Sequence, residues 1–222
     1  MKKYQKDFIL HLVRSGAIRF GEFELKSGRV SPYFINMAFA MDSGRKATET
    51  SKAYASVIVD KLGTDFDYIY GPAYKGIPIS SLIAIKLWGL YGVDKRWGYD
   101  RKDAKEYGDG QEKLIVGDIR DGDSVLMVDD VITTGKTKVE SWAKLAYKNV
   151  IPKGIVIAVD RQELSKDDRG LLNDSGLDIY PILKISNIFD YLLERKIDGK
   201  IFVDNKLKGS FYEYFSMYGD QV

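Results

Sequence analysis

The sequence contains no cysteine and a single histidine, His11. The absence of cysteine excludes disulfides, thiolate catalysis and cysteine-ligated zinc, and it is typical of a protein in a reducing compartment. One histidine cannot build a histidine-based metal cluster, so we interpret His11 as an ordinary residue of a helix face.

The sequence also lacks a long hydrophobic run and a strong net charge. No stretch approaches the ~20 consecutive apolar residues of a membrane helix, and charges interrupt the first segment, "MKKYQKDFILHLVRSG", where a signal peptide needs an apolar run. Lysine and arginine number 34 against 32 aspartate and glutamate, a net charge of +2, which argues against a general role on nucleic acid or on an anionic membrane. We therefore expect a cytoplasmic protein that binds neither nucleic acid nor membranes. A chain of 222 residues, 45% of them hydrophobic, predicts a substantial hydrophobic core.

Short apolar runs of β type alternate with segments of helical periodicity along most of the chain. The first segment places Phe8, Ile9, Leu12 and Val13 at helical spacing and stops at Gly16. Strands such as "VLMV" and "IVIAV" are apolar at nearly every position, as expected for parallel strands covered on both faces. The pattern predicts an α/β fold, an open and mostly parallel sheet flanked by helices. We predict two extended runs around a Ser-Gly turn in 20–37, helices near 45–62, 76–90 and 135–148, strands at 68–71, 124–130, 154–160 and 178–185, and, beyond Ser186, a helix, a hairpin around 204–208 and a final helix.

One charged interval interrupts this alternation. Residues 101–113, "RKDAKEYGDGQEK", hold four basic and four acidic residues and two glycines, with only Ala104 and Tyr107 to bury. Packing cannot easily offset the ordering entropy of such a segment. We predict a mobile loop, either a solvated connection or a lid that orders over a charged ligand.

The segment "VLMVDDVITTGKT", Val125 to Thr137, ends in the Gly-Lys-Thr triplet of many phosphate-binding loops. A P-loop needs a glycine five positions before that triplet, and Asp130 stands there, so the P-loop interpretation fails. The start of the following helix still offers free amides and a positive dipole end to a phosphate. Two carboxylates beside it suit the hydroxyl groups of a sugar, so the segment predicts a ligand with a phosphate at one end and a hydroxylated ring at the other.

This segment resembles the signature of the type I phosphoribosyltransferases. Four further segments, "FELKSGRVSPYFINM" (23–37), "YGPAYKGIPIS" (70–80), "YDRKDAKEYGDG" (99–110) and "VDRQE" (159–163), are similar to the orotate phosphoribosyltransferases in order and spacing. The resemblance covers about Phe23 to Glu163. The alternative for the motif alone is a strand that ends in a capped helix with two solvated acids.

The resemblance implies roles for individual residues. Lys105, Asp129 and Asp130 would be catalytic. Phe34 and Ile35 would lie against the orotate ring. The donor phosphates would be engaged by Lys26, Tyr74, Lys75, Arg101, Lys102, Lys105 and Tyr107; the ribose and its 5-phosphate by Asp129, Asp130, Val131, Ile132, Thr133, Thr134, Gly135, Lys136 and Thr137; and the polar groups of orotate by Thr133 and Arg161.

Some of these assignments have alternatives. Arg161 suits a carboxylate, because arginine can donate two parallel N–H bonds to it; the alternative is a surface ion pair with Glu163 or another nearby acid. Lys26 taken alone is an exposed turn lysine, and Lys136 either adds charge to the phosphate loop or points to solvent. Tyr107 stands where the family usually has a loop histidine, and a phenol with an ordinary pKa of about 10 is a poorer proton donor.

The resemblance further implies phosphoribosyl pyrophosphate and orotate as substrates, and a homodimer in which the loop 101–116 reaches the neighbouring site. Mg²⁺ would be held mainly by substrate, with no direct protein ligand and a water-mediated contact to Asp129 or Asp130 left open. One domain would span 1–222, with an N-terminal helix and hood elements in 1–40 and helices with a hairpin in 186–222. The alternatives are a phosphoribosyltransferase for another base and a non-catalytic regulator that senses phosphoribosyl pyrophosphate; a receiver domain fits less well, because no phosphate cradle directly follows its acids.

Overall fold

The computed structural model describes residues 1–25, 27–101, 114–132, 135–163 and 165–219. Its helices are α1 (Lys3–Ser15), α2 (Gly44–Lys61), α3 (Gly76–Tyr91), α4 (Gly135–Ala143), α5 (Lys166–Asp174), α6 (Ile185–Leu192) and α7 (Asn205–Tyr218), with two short 3-10 helices at Met37–Ala40 and Ala146–Lys148. The strands are β1 (Ile18–Glu24), β2 (Val30–Ile35), β3 (Tyr68–Gly71), β4 (Arg96–Asp100), β5 (Ile115–Val116), β6 (Ser124–Val131), β7 (Ile151–Asp160), β8 (Ile179–Lys184), β9 (Lys196–Ile197) and β10 (Lys200–Ile201).

Six strands form the main sheet in the order β5-β4-β3-β6-β7-β8. The pairs from β4 to β8 are parallel, and β5 is antiparallel to β4 at the edge. The predicted open, mostly parallel sheet is therefore confirmed. β1 and β2 form a separate antiparallel pair, which corresponds to the two extended runs predicted around the Ser-Gly turn.

The central strands carry uninterrupted apolar runs because both faces of the sheet are buried. Leu126 and Val128 of β6 lie in the core on one face, together with residues of α1, α2, α3 and α6. Val125 and Met127 lie in the core on the other face, with Leu145 and Leu172. Side chains alternate between the two faces of a strand, so an uninterrupted apolar run indicates two covered faces.

The structure corrects the predicted ends of two elements. The helix predicted for 135–148 ends at Ala143 and is followed by a short 3-10 helix. Asn149 then adopts a left-handed conformation with φ 43°, which turns the chain into β7. That strand begins at Ile151, three residues earlier than predicted.

The hairpin predicted around 204–208 is wrong. Asp204 instead caps α7, because its side chain accepts a hydrogen bond of 2.7 Å from the Leu207 amide. The C-terminal hairpin is β9–β10, and its two turn residues, Asp198 and Gly199, have φ values of 51° and 81°.

No helix among the described residues combines the length and the hydropathy that a membrane span requires.

Candidate active site

Four parallel strands bring polar residues to one edge of the sheet. β6 ends with Asp129 and Asp130, its neighbour β3 leads into the turn 71–76, β4 ends at Asp100, and β7 leads to Arg161. In an open parallel sheet, the carboxyl ends of the strands form the usual ligand crevice. The predicted site residues on these strands therefore share one edge.

Asp129 and Asp130 are buried, each with 6% of its surface exposed. Asp130 forms an ion pair with Lys75, and Asp129 forms one with Lys138. Each acid also accepts a backbone hydrogen bond of 2.8 Å, Asp129 from the Asp130 amide and Asp130 from the Val131 amide. Two ammonium groups balance the two carboxylates, so a ligand meets a hydrogen-bonding cluster without net charge.

Lys138 is a site residue that the sequence analysis missed. It lies in the first turn of α4, and its side chain is 12% exposed. The available signal was its position three residues after Gly135, on the helix that starts directly beyond the acids. Lys75 was predicted to engage phosphate, and in the structure its ammonium group forms an ion pair with Asp130.

Burial and charge oppose each other at Asp129. Burial raises the pKa of Asp129, the Lys138 ammonium lowers it, and the neighbouring Asp130 raises it. The backbone of Asp129 is also held in place, because the Tyr54 hydroxyl donates a hydrogen bond of 2.7 Å to the Asp129 main-chain carbonyl. Burial raises the pKa of Tyr54, so this hydroxyl stays a donor.

The turn 71–76 joins β3 to α3 in very little space. A Cβ added to Gly76 would lie 2.6 Å from the Gly71 carbonyl carbon, so only glycine fits there. The Ala73–Tyr74 peptide bond is cis. The Ala73 amide donates a hydrogen bond of 2.6 Å to Asp100, a buried acid that also pairs with Lys144, the residue directly after α4.

The turn is therefore tied to β4, and to the segment that follows α4, through one carboxylate. Tyr74, predicted to engage phosphate, is 69% exposed beside this turn. Arg101 follows Asp100 directly and is half-buried. Its amide donates to the Leu114 carbonyl at 2.6 Å.

The start of α4 lies against the first turn of α5. The Gly135 amide donates a hydrogen bond of 2.8 Å to Asp168, and a Cβ on Gly135 would meet the Asp168 backbone. Lys136 points to solvent with 77% of its side chain exposed, 4.0 Å from Glu140, and Thr137 is also exposed. Val131 is half-buried and Ile132 is buried in the core.

Arg161 lies in a hydrogen-bonded group with Glu163 and Tyr33. Its Nη2 atom donates to Glu163 at 3.0 Å, and the Tyr33 hydroxyl donates to the same carboxylate at 2.6 Å. The alternative ion pair with Glu163 is thus present, but it does not lie on the surface, because the two side chains are only 17% and 13% exposed. A guanidinium held in this way retains its remaining N–H groups for a ligand.

Phe34 and Ile35 lie on β2 beside Tyr33 and are half-buried. The Arg19 guanidinium stacks over the Phe34 ring at 5.1 Å, and Arg19 is a second residue without a predicted role. Ile35 packs against the core. The remaining predicted residues, Lys26, Lys102, Lys105, Tyr107, Thr133 and Thr134, lie outside the described residues.

The described residues hold no group of three or more histidine, cysteine, aspartate or glutamate side chains that could bind a metal ion. Asp129 and Asp130, the carboxylates predicted to engage the ribose, are each already paired with a lysine.

Comparison with known proteins agrees with this geometry. The model of the phosphoribosyl transferase domain family matches residues 40–174. The orotate phosphoribosyltransferase of Clostridium acetobutylicum is 37% identical, with 99% of each chain covered; that of Ruthia magnifica is 39% identical, with 86% of this chain and 90% of the relative covered. The chain belongs to the orotate phosphoribosyltransferase family.

A solved structure extends the likeness to the fold. The crystal structure of the Francisella tularensis orotate phosphoribosyltransferase superposes with a TM-score of 0.80 at 31% identity, covering 96% of this chain and 99% of that one. The family model begins at residue 40, beyond β1 and β2. The likeness to orotate phosphoribosyltransferases, in contrast, includes the β1–β2 pair and α7.

Proposed function

We propose that this protein transfers the 5-phosphoribosyl group from phosphoribosyl pyrophosphate to orotate, forming orotidine 5'-monophosphate and diphosphate in pyrimidine biosynthesis. The observation that carries the proposal is the buried acid pair at the end of β6, directly before a helix start and beside the glycine-bounded turn 71–76. Relatives of nearly the same length are orotate phosphoribosyltransferases, which favours orotate over another base.

The donor is proposed to bind across the edge of the sheet. The ribose hydroxyls would donate to Asp129 and Asp130, and the 5-phosphate would bind at residues 133–137, where backbone amides at a helix start favour an anion. The pyrophosphate would lie over the turn 71–76, near Lys75 and Arg101. Lys26, Lys102, Lys105 and Tyr107 are proposed to engage the same phosphates.

Mg²⁺ is proposed to bind mainly through oxygens of the donor rather than through protein ligands. Both acids are engaged by lysines, so direct coordination would have to displace an ion pair, whereas a bridging water would not. When bound, Mg²⁺ would neutralise part of the charge of the departing pyrophosphate. The cations of the chain, above all Lys75 and Arg101, would neutralise the rest.

The reaction is proposed to be a displacement at the anomeric carbon. A ring nitrogen of orotate forms the new C–N bond and loses its proton to the departing pyrophosphate or to water, and pyrophosphate leaves with the electron pair of the broken C–O bond. Positive charge that develops on the ribose is stabilised by Asp129 and Asp130. A carboxylate ~4 Å from a unit charge contributes about 4 kcal/mol at an effective dielectric of about 20, and the paired lysines reduce that value here.

Orotate is proposed to lie between β2 and the end of β7. Phe34 and Ile35 would contact the ring, and Thr133 and Arg161 would bind its polar groups. The carboxylate of orotate suits Arg161, because a guanidinium and a carboxylate match in geometry. Uracil lacks this group, so Arg161 would distinguish the two bases.

We further propose a cytoplasmic homodimer in which the loop 101–116 closes over the neighbouring site and excludes water. The exposed apolar face of α3 supports an interface between two copies: Ile85 and Trp88, one turn apart, are 66% and 62% exposed. We also propose that residues 1–222 form one domain, with hood elements in 1–40 and the C-terminal helices and hairpin in 186–222.

The test is to mix the protein with Mg²⁺, orotate and phosphoribosyl pyrophosphate, and to follow the loss of orotate absorbance. Product analysis should show orotidine 5'-monophosphate and diphosphate in equal amounts. A panel with uracil and the purine bases in place of orotate should give much lower rates. Turnover of another base but not of orotate would replace the proposed substrate, and nucleic-acid binding without diphosphate release would favour a regulator.

A further inference from the structure

Glu163 connects Arg161 to the β1–β2 pair. One of its carboxylate oxygens, Oε1, accepts hydrogen bonds from Arg161 Nη2 at 3.0 Å, from Arg161 Nε at 3.3 Å and from the Tyr33 hydroxyl at 2.6 Å. Arg161 Nε also lies 3.3 Å from the Tyr33 hydroxyl oxygen. Three side chains from two separate parts of the chain therefore meet at one point.

The group is shielded from water. Tyr33 is 1% exposed, and Arg161 and Glu163 are mostly buried. The Tyr33 ring packs edge-on against Phe189 at 6.0 Å, and burial raises the pKa of the Tyr33 hydroxyl, so it remains a protonated donor. Hydrogen bonds in such surroundings hold their partners more firmly than bonds at a wet surface.

These bonds leave one end of the guanidinium for a ligand. Glu163 and Tyr33 occupy the edge that carries Nε and Nη2, whereas Nη1 makes no hydrogen bond among the described residues. A ligand carboxylate would then meet the end formed by Nη1 and Nη2, in two parallel N–H bonds. The Arg161 guanidinium also lies over the Tyr33 ring, with its central carbon 5.2 Å from the ring centroid, and this contact restricts the orientation of that end.

We propose that Tyr33 and Glu163 are positioning residues that hold Arg161 in the orientation required to bind the carboxylate of the base. This inference rests on the proposed function, since it takes orotate as the ligand of Arg161. Neither residue would touch the substrate. Their loss would therefore weaken orotate binding and leave the donor site intact.

The experiment is a double-mutant cycle between Tyr33 and Arg161. Tyr33→Phe should raise the KM for orotate about 3- to 10-fold, the cost of restraining one more side chain on binding, and leave the KM for phosphoribosyl pyrophosphate within about twofold. In the Arg161→Ala background, Tyr33→Phe should have no further effect, because a residue that acts only through another shows no independent contribution. Calorimetric binding of orotidine 5'-monophosphate gives the same cycle without turnover.

Glu163→Gln provides a second variant. It keeps an acceptor for Tyr33 but loses the ion pair with Arg161, so it should raise the KM for orotate at least as much as Tyr33→Phe. Tyr180→Phe, a half-buried tyrosine of β8, is the control and should match the wild type. Thermal unfolding of each variant verifies that it is folded.

Several outcomes would overturn the inference. These are an additive effect in the Arg161→Ala background, an equal rise of both KM values, or a wild-type KM for orotate in Glu163→Gln. An orotate KM unchanged by Arg161→Ala would overturn it while the proposed function stands. A wild-type protein that converts no orotate would overturn the proposed function and this inference together.

Discussion

At the scale of single residues, most charges of the candidate active site that lie within the described residues are already paired. Binding of a charged donor must therefore rearrange ion pairs rather than fill a site of uniform sign. Removing one partner of a buried pair leaves an uncompensated charge, which costs far more than the pair contributes. The pairs are Lys75–Asp130, Lys138–Asp129, Lys144–Asp100 and Arg161–Glu163.

Lys138→Met should make stability depend on pH through Asp129. Burial raises the pKa of Asp129 above its ordinary value, and Lys138 opposes this shift. Without Lys138, the pKa of Asp129 in the variant should therefore be higher than in the wild type. Between the ordinary and the raised pKa the folded state binds more protons than the unfolded state, so stability falls as pH rises through this window. We expect a loss on the order of 3 kcal/mol at pH 8, recovered towards pH 5.

Denaturant unfolding from pH 5 to 8 checks this prediction. Lys200→Met, on the exposed strand β10, is the control and should unfold like the wild type at each pH. A variant at Lys138 that is destabilised equally across the range would show that the lysine acts through packing and not through Asp129.

Asp130→Asn should lower kcat/KM for phosphoribosyl pyrophosphate by about 10- to 1000-fold. The upper value corresponds to about 4 kcal/mol of carboxylate attraction for the transition state, and pairing with Lys75 reduces it. Initial rates at varied donor concentration give this ratio. Unchanged kcat/KM would remove Asp130 from the ribose site.

At the scale of elements, the turn 71–76 depends on two glycines in contact. Gly76→Ala should abolish turnover and lower the free energy of unfolding by several kcal/mol, because the new Cβ would lie 2.6 Å from the Gly71 backbone. Gly89→Ala is a matched control in the same helix. Its Cβ would meet open space, and alanine should stabilise α3 by up to about 1 kcal/mol. Activity assays and thermal unfolding of both variants test the pair, and an active Gly76→Ala would show that the turn can relax.

Four of the six strands of the main sheet were predictable because their apolar runs are local in sequence, whereas β4 (RWGYD) and the two-residue β5 lack such a run and were not predicted. β3 was predicted with its observed bounds, and β6 was predicted to within one residue. The misplaced hairpin shows how a local signal can be misread: Asp204 resembles a turn residue but caps a helix, whereas the Asp198-Gly199 pair is the stronger hairpin signal. Ion pairs such as Lys144–Asp100 join residues 44 positions apart, so no periodicity in the sequence predicts them.

At the scale of the whole molecule, the exposed face of α3 bears on the proposed homodimer. Trp88→Glu should shift the protein towards the monomer, because a charge buried in an apolar interface is strongly unfavourable. Analytical ultracentrifugation measures the shift. Tyr212→Glu, at another exposed aromatic position on α7 (54% exposed, against 62% for Trp88), should leave the assembly unchanged. A Trp88→Glu variant that sediments like the wild type would place the interface elsewhere.

The proposed sharing of the loop between subunits can be tested by mixing two inactive proteins. Lys105→Ala removes a cation of the loop, and Asp130→Asn removes an acid of the site, so each homodimer should turn over poorly and yet remain folded. If the loop of one subunit completes the site of the other, a mixed dimer contains one site with both defects and one intact site. Half of the dimers are mixed after random exchange and one of their two sites is intact, so activity should recover to about a quarter of the wild-type value. If the loop instead serves the site of its own subunit, every site keeps one defect, and mixing the two proteins would restore no activity.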